Sequence, residues 1–430
     1  MLKTTDPKRK RFFGDSNLKP NGVTVFLYGR LFDPLIQGNF WVFIKGIQER
    51  TPGQYHFRIV SYEDAERPLT DAQLKQVQEM EAIGVSWSPL KWHPGQGVIS
   101  KVTDLISGFF AVTRERLKGN KHVIAYGSVA ASFCYLYSLL LGVKLFLYSY
   151  EPHSEYARDN GILSEQSLQY RVLHFLERKA ANAAAVISSG TVFMKRRLLD
   201  DWAVTGEFFK IPSVTDNQKF AFNGALRAHR RAELGLDPQR KVIFYPGKFG
   251  GLYYAREITQ MFRWLLDEDP DLFFLVLSPQ SAESIRSLFA ECNVPESSYK
   301  VDKADYENIE QWFWVADFGI IAVPPGDSKK FISNIKVGEY LCAGLPFLIT
   351  RGVSEDSIVA ADCQVGVVVD GFTREAIRDA WPSIRSFLEM DPVQRRAHCT
   401  KVGLEYRGFQ TLQARFETAL SALVGRDRVL

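Results

Sequence analysis

Apolar residues along this chain fall into short blocks separated by polar or glycine-containing breaks. VTVFLYG (Val23 to Gly29), HFRIVSY, HVIAYG and KLFLYSY are near-continuous apolar runs that end at turn signals, so they read as buried strands. VSWSPLKW is a further strand, limited by its Pro89. WVFIKGIQER, SVAASFCYLYSLLLG and SLQYRVLHFLERKAANA carry apolar positions at helical spacing, and AAVISSG, TVFMKRRLLDDW and FFKIPSV continue the alternation. TDNQKFAFNGALRAHRRAELGLDPQR is polar, with few large apolar residues, and reads as a linker. The pattern then restarts with strand KVIFYPG, helix YYAREITQMFRWLLDED, strand LFFLVLS, helix SAESIRSLFAECN, short strand YKVD and helix ENIEQWFWVA. Strand DFGIIAV, loop PPGDSKKFISN, helix IKVGEYLCAG and strand PFLIT follow. Two alternating halves predict an α/β chain of two doubly wound, Rossmann-like domains facing a cleft. FQTLQARFETALSALVG closes the chain as an amphipathic helix.

Composition changes this picture little. A length of 430 residues, with 46% apolar and 24% charged, fits two or three ordinary globular domains. The net charge of +4 is too small to argue for nucleic acid. Five cysteines stand far apart with no C-x-x-C pair, so neither a zinc site nor a disulfide framework is expected and a reducing cytoplasm fits. The polar, basic N-terminus is not followed by an apolar segment, so no signal peptide is expected. Val123 to Tyr150 is apolar enough to mimic a membrane span, but Gly127, Ser128, Ser132, Gly142 and Lys144 interrupt it, and strand, helix, strand is the better parse. Lys8 to Arg11, followed by Phe12 and Phe13, is either a solvated tail or a peripheral contact with an anionic membrane surface.

Candidate chemistry gathers where loops leave carboxyl strand ends. Lys336 and Glu339 share a helix face, either as an ordinary i,i+3 surface pair or as a grip for an anionic, hydroxyl-bearing ligand at a helix N-terminus. Gly38 and Asn39 sit just before the WVFIKGIQER helix, as a plain turn or an anion site. EPHSE places Glu151, His153 and Glu155 on the loop after KLFLYSY, where a histidine can donate or accept at neutral pH. GKFGG (Gly247 to Gly251) follows a strand and precedes a helix, so Gly250, Gly251 and Lys248 suit a phosphate, or form a simple turn with a solvated lysine. Asp267, Asp269 and Asp271 imitate a D-x-D metal site but lie at the amino edge of LFFLVLS and read as a solvated connection; no metal site is expected.

Several stretches resemble the retaining, nucleotide-sugar-dependent glycosyltransferases of the GT-B fold, family 4 type. SNIKVGEYLCAGLPFLIT is similar to that family's glutamate motif, YPGKFGGLYYAREITQMF to its glycine loop and helix, and ENIEQWFWVADFGIIAVPP and GVSEDSIVAADCQVGVVV to the segments beside them. In the first half, SYEPHSEYARDNGI and LERKAANAAAVISS are similar to acceptor-domain segments. The resemblance implies a basic tail at 1–21, an acceptor-side domain at 22–213, a linker at 214–240, a nucleotide-sugar domain at 241–402 and a helix at 403–430 returning to the first domain.

It also implies roles. Glu339 would take the ribose hydroxyls; Lys336 and Lys248 would hold the departing diphosphate, with Gly247, Gly250, Gly251, Ser333, Asn334, Gly38 and Asn39 around it; His153 would lie against the sugar. The donor is then a nucleotide sugar, the acceptor a glycan or lipid-linked molecule in cell-surface polysaccharide synthesis, and no cofactor or nucleic acid is involved. Such an enzyme would be cytoplasmic, at the inner face of the plasma membrane where peripheral. Two departures stand out: the family's further glutamate, eight residues before Glu339, is Phe331 here, and Lys248 stands where arginine or serine is frequent. A non-catalytic GT-B binding protein and a nucleotide-sugar epimerase are the alternatives.

Overall fold

The apolar runs become buried parallel strands, as continuous apolar strands covered on both faces must. In the computed structural model, which describes residues 20–93 and 97–425, β1 (Asn21–Leu27), β2 (Tyr55–Glu63), β3 (Val85–Lys91), β4 (His122–Tyr126), β5 (Lys144–Tyr148), β6 (Val186–Ser189) and β7 (Glu207–Lys210) form one sheet. Its order is β3-β2-β1-β4-β5-β6-β7. The second sheet holds β8 (Val242–Pro246), β9 (Phe273–Leu277), β10 (Tyr299–Asp302), β11 (Phe318–Ile321), β12 (Phe347–Thr350) and β13 (Gly366–Val369), in the order β10-β9-β8-β11-β12-β13. Pro89 lies on the edge strand β3, paired with Ser61, where its missing N–H faces no second neighbour. Val123 to Tyr150 spans strand, helix and strand, and among the described residues no helix is long and apolar enough to cross a membrane. The basic run Lys8 to Arg11 lies outside the described residues.

The last helix, Phe409–Gly425, crosses back and completes the first domain's core. Phe416 stacks on Phe43 with ring centroids 5.1 Å apart, and Leu412, Leu420 and Leu423 pack beside them. The domains also meet through the loops after β11 and β12. Ser328 N–H donates to Asp159 (2.7 Å), Lys329 reaches Asn160 (3.1 Å), and Lys210 pairs with Glu355 (2.7 Å). Phe331 is 2% exposed and sits in the first domain's core beside Tyr150, Met194 and Leu198, with the Arg197 guanidinium 4.6 Å from its ring. The loop after β11 thus carries an apolar plug that pins one domain to the other. Denaturant melts should show that Phe331→Leu costs about 1 kcal/mol, whereas Phe331→Glu, which buries a carboxylate beside an Arg197 already paired with Glu155, costs several times that.

Three segments depart from the sequence reading. The first helix begins at Pro34, capped by Asp33, and runs through a π-helical turn at Gln37–Trp41 into Val42–Arg50. Gly38 and Asn39 therefore lie inside a helix and do not precede one. An aspartate cap followed by proline at the first helical position was the missed signal. The polar stretch 214–240 holds a helix, Gly224–Glu233, that belongs to the second domain. Charge anchors it: Arg227 and Arg231 both reach the buried Asp317 at the start of β11, and Arg395 joins them. Burial alone would raise the Asp317 pKa, but Arg227 and Arg395 outweigh it and hold the carboxyl below its usual range. The third, helix Val98–Leu117, is apolar on its outward as well as its inward side, which blurs the period that marks an amphipathic helix.

Candidate functional site

The site is built first on the helix Ile335–Cys342 after β11. Asn334 occupies the N-cap with extended backbone, Val337, Tyr340 and Leu341 turn inward, and Gly344 at φ +75° ends the helix in a conformation that suits glycine. Lys336 and Glu339 share the remaining face without forming an ion pair, which removes the surface-pair reading. The Lys336 ammonium lies over the Tyr253 ring, 4.6 Å from its centroid, and 6.0 Å from that of Tyr245. Glu339 is 7% exposed, and among the described residues its carboxylate accepts no hydrogen bond. Burial pushes the Glu339 carboxyl up to about 7, against the pull of Lys336 and Lys219. Burial pushes Lys336 down to about 8, with Glu339 opposing. A carboxyl and an amine side by side, each with its pKa shifted by burial and not paired with the other, make this helix face a candidate ligand site.

The glycine loop after β8 lies beside this helix. Gly250 and Gly251 both adopt left-handed backbone (φ +83° and +68°), and the tight approach leaves no room for a side chain at Gly247, where a Cβ would fall 2.5 Å from the Tyr245 ring. The Tyr245 hydroxyl donates to the Lys248 carbonyl, and the Lys248 side chain is exposed. Tyr253, two residues beyond Gly251, joins the loop to Lys336.

From the first domain, Glu151 and His153 follow β5 at its carboxyl end, His153 opening the helix His153–Asp159. Its ring stacks on Tyr156 at 6.2 Å, and its partly desolvated setting lowers its pKa, so the imidazole is neutral at pH 7. Glu151 is raised to about 8 by burial, against the pull of Arg407, and so is largely protonated at neutral pH. The rest of the EPHSE segment faces elsewhere: Glu155 pairs with Arg197, and the Ser154 hydroxyl donates to Glu177. Tyr156 is the junction. The Lys329 amine sits 4.7 Å from its ring centroid, and burial raises the pKa of its hydroxyl. The structure thus joins His153 to Tyr156 on the first domain's side and Lys336 to the glycine loop through Tyr253 on the second. Trp41 is core, and the Trp87 indole donates to Ser61 (2.9 Å), so neither ring is free to stack on a ligand.

Three expected site residues need correction. Asn39 is buried and its side chain accepts from Val214 N–H at 3.1 Å, so its polar end is already engaged. Gly38, in the π-helical turn, is not at a helix N-terminus. The Ser333 hydroxyl accepts from Ser213 N–H (2.9 Å) and from Arg407 (2.6 Å), which makes it a strut between domains. Asn334 holds the helix N-cap, and its side-chain amide nitrogen is buried without a partner. Asp267, far from these groups in the fold, pairs with Arg263 and Arg374 at the amino edge of β9. Among the described residues no cluster of three or more His, Cys, Asp or Glu side chains is arranged to hold a metal ion.

Two doubly wound domains with a final helix crossing back have close structural counterparts. The sucrose-phosphate synthase of Thermosynechococcus elongatus superposes with a TM-score of 0.69 over 94% of this chain and 100% of its own, at 14% identity. The fold is GT-B. HepE of Anabaena, solved with UDP and glucose, matches the GT-B frame with a TM-score of 0.66 over 94% of this chain and 99% of its own, at 10% identity. WaaG, a glycosyltransferase of lipopolysaccharide biosynthesis, matches at 0.62 over 94% and 100%, with 15% identity. No family model matches the chain, and no curated protein matches its sequence.

Proposed function

We propose that this chain is a glycosyltransferase that moves a sugar from a nucleotide-sugar donor to a glycan or lipid-linked acceptor, with retention of anomeric configuration, in cell-surface polysaccharide synthesis. The observation that carries the reading is the unpaired Glu339 carboxylate, buried beside Lys336 at the carboxyl edge of the second sheet. That HepE, a protein of the same fold, was solved with UDP and with UDP-glucose supports the donor class. In this reading Glu339 accepts from the ribose hydroxyls. Lys336, Lys248, the Gly250–Gly251 backbone and the N-terminus of the Ile335–Cys342 helix surround the diphosphate, and His153 contacts the sugar.

The chemistry needs little else. The bond between the anomeric carbon and the phosphate oxygen breaks, the acceptor oxygen bonds to that carbon on the same face, and the acceptor proton passes to the departing phosphate. The Lys336 and Lys248 cations and backbone N–H groups stabilise the charge that gathers on the leaving group, in place of a metal. Closure of the two domains keeps water from the donor. Incubation with a panel of nucleotide sugars tests the reading: nucleoside diphosphate should be released when acceptor is present, and the product should keep the donor's anomeric configuration by NMR. An inverted product removes the retaining mechanism. A second reading, a GT-B binding protein without turnover, draws on Phe331, and binding without release would favour it.

Lys336 sets the pH dependence. Its pKa of about 8 means that its charge disappears as pH rises through that value. Affinity for a nucleoside diphosphate, read by calorimetry, should therefore fall toward about tenfold per pH unit above the Lys336 pKa. Stability of the unliganded protein moves the other way. Between about 8 and the ordinary 10.5 the folded state holds fewer protons at Lys336 than the unfolded chain, so this group's contribution rises with pH across that window.

A further inference from the structure

The first sheet is covered on one side by three adjacent helices, Val98–Leu117, Gly127–Leu141 and Leu168–Ala183. They follow β3, β4 and β5 in right-handed crossovers, so they share a face of the sheet, opposite the C-terminal helix. Their outer surface is apolar where a solvated helix layer is polar. On the first helix Ile99, Val102, Ile106, Phe110 and Leu117 stand on one outward stripe, with Ile99 84% and Phe110 65% exposed. The second helix has no charged residue and ends with Leu139 and Leu140 exposed. On the third, Leu168, Val172 and Phe175 repeat the stripe.

Charge is sorted as well, acids more strictly than bases. Asp104, Glu115 and Glu177 are the acidic residues of these three helices, and all three are buried and bonded inward. Lys101 and Arg116 are half-buried and donate to the Tyr28 hydroxyl and the Leu141 carbonyl, but the other four basic residues remain outside: Arg114, Arg171, Arg178 and Lys179 are exposed, the last with its amine 5.5 Å from the Phe175 ring centroid. Glu165, in the loop before the third helix, is the exposed acid nearest in sequence. Folding conventionally turns acids out and leucines in; here the reverse arrangement makes a broad apolar face with cations on it.

We propose that this three-helix face docks on an anionic phospholipid bilayer, its apolar stripes entering the headgroup–acyl boundary and its arginines and lysines meeting lipid phosphates. An apolar stripe bordered by cations, without exposed carboxylates on the helices themselves, is complementary to such a surface. Helices that follow carboxyl strand ends begin at the cleft side of the sheet, so Ile99 and Leu168 lie nearest the cleft and Leu117 farthest. The face thereby runs from the cleft rim outward. Docking does not rest on the proposed sugar transfer. If that transfer uses a lipid-linked acceptor, the face delivers the cleft to it.

Sedimentation of the full chain with equimolar phosphatidylglycerol–phosphatidylcholine vesicles tests the face against pure phosphatidylcholine. Binding should require the anionic lipid and weaken with salt. The double variant Ile106→Asp/Phe110→Asp should bind about a hundredfold more weakly, given the apolar area it withdraws from lipid. Arg171→Glu/Lys179→Glu should lose about tenfold or more. Both pairs lie on the outer surface, so circular dichroism and soluble nucleotide binding should match the parent. A chain lacking residues 1–19 should still bind. The proposal is overturned if the parent ignores anionic vesicles, if the aspartate variant binds as well as the parent, or if removal of 1–19 alone abolishes binding. It is overturned equally if light scattering shows a dimer that the aspartate variant dissociates while no lipid binds, because the face would then belong to a second copy.

Discussion

Glu339→Ala should lower kcat/KM for any nucleotide-sugar donor by about a hundredfold or more, without destabilising the protein. The loss follows from hydrogen bonds between a charged acceptor and buried hydroxyls, each worth about 1.5–3 kcal/mol. The absence of a stability cost follows from the carboxylate's isolation. Burial raises its pKa to about 7, so between the ordinary 4.5 and that value the folded state holds the extra proton, and the contribution of Glu339 to stability falls as pH rises. Removing the group should leave the melting temperature at pH 8 unchanged or slightly higher. Glu339→Gln keeps the shape and can still accept hydrogen bonds through its amide oxygen, but loses the charge, and should fall between the two. Steady-state kinetics together with thermal melts separate a binding role, in which activity alone falls, from a structural one, in which both fall.

Arg407→Ala should cost about 3–5 kcal/mol of folding stability, the range for breaking a buried ion pair by removing one partner. Arg407 and Asp356 are both fully buried and form a salt bridge, and the Arg407 guanidinium also donates to the Ser213 and Ser333 hydroxyls, at 2.6 Å each. Ser213 follows the first sheet, Ser333 precedes the site helix, and Arg407 ends the helix before the chain crosses back. One side chain therefore ties the crossover to both domains. Lys would keep the charge but not the planar fork, so Arg407→Lys should recover little of the loss. Equilibrium unfolding in denaturant measures both variants. A change below about 1 kcal/mol for Arg407→Ala would mean that the domains are held together by the apolar contacts around Phe331 and not by this network.

The parts of the fold that were legible in the sequence are those that the local apolar pattern dictates. β5, β8, β11 and β12 are continuous apolar runs, and each became a central or near-central strand. Lys336 and Glu339 were recognisable because their strand–loop–helix setting is local. Other features rest on signals of a different kind. The helix Gly224–Glu233 is anchored by arginines to Asp317, a long-range charge contact that an apolar pattern cannot reveal. The helix Val98–Leu117 shows apolar residues on two sides, so no single face stood out. Asn39 and Ser333 looked available because their partners, Val214 and Ser213, are distant in sequence. Phe331 was visible as a departure from the family pattern, but its destination in the other domain's core was not. Tyr253 could have been found, since an aromatic just past a glycine loop is placed to meet whatever binds there.

The most direct test of the donor site is calorimetric titration of a panel of nucleoside diphosphates into the parent protein and Glu339→Ala at pH 7. Glu339 as the ribose acceptor predicts saturable binding of at least one diphosphate by the parent and about a hundredfold weaker binding by the variant, with both proteins equally folded. Equal affinity for the two proteins, or no nucleotide binding by the parent, would contradict the placement of the donor at Glu339 and Lys336.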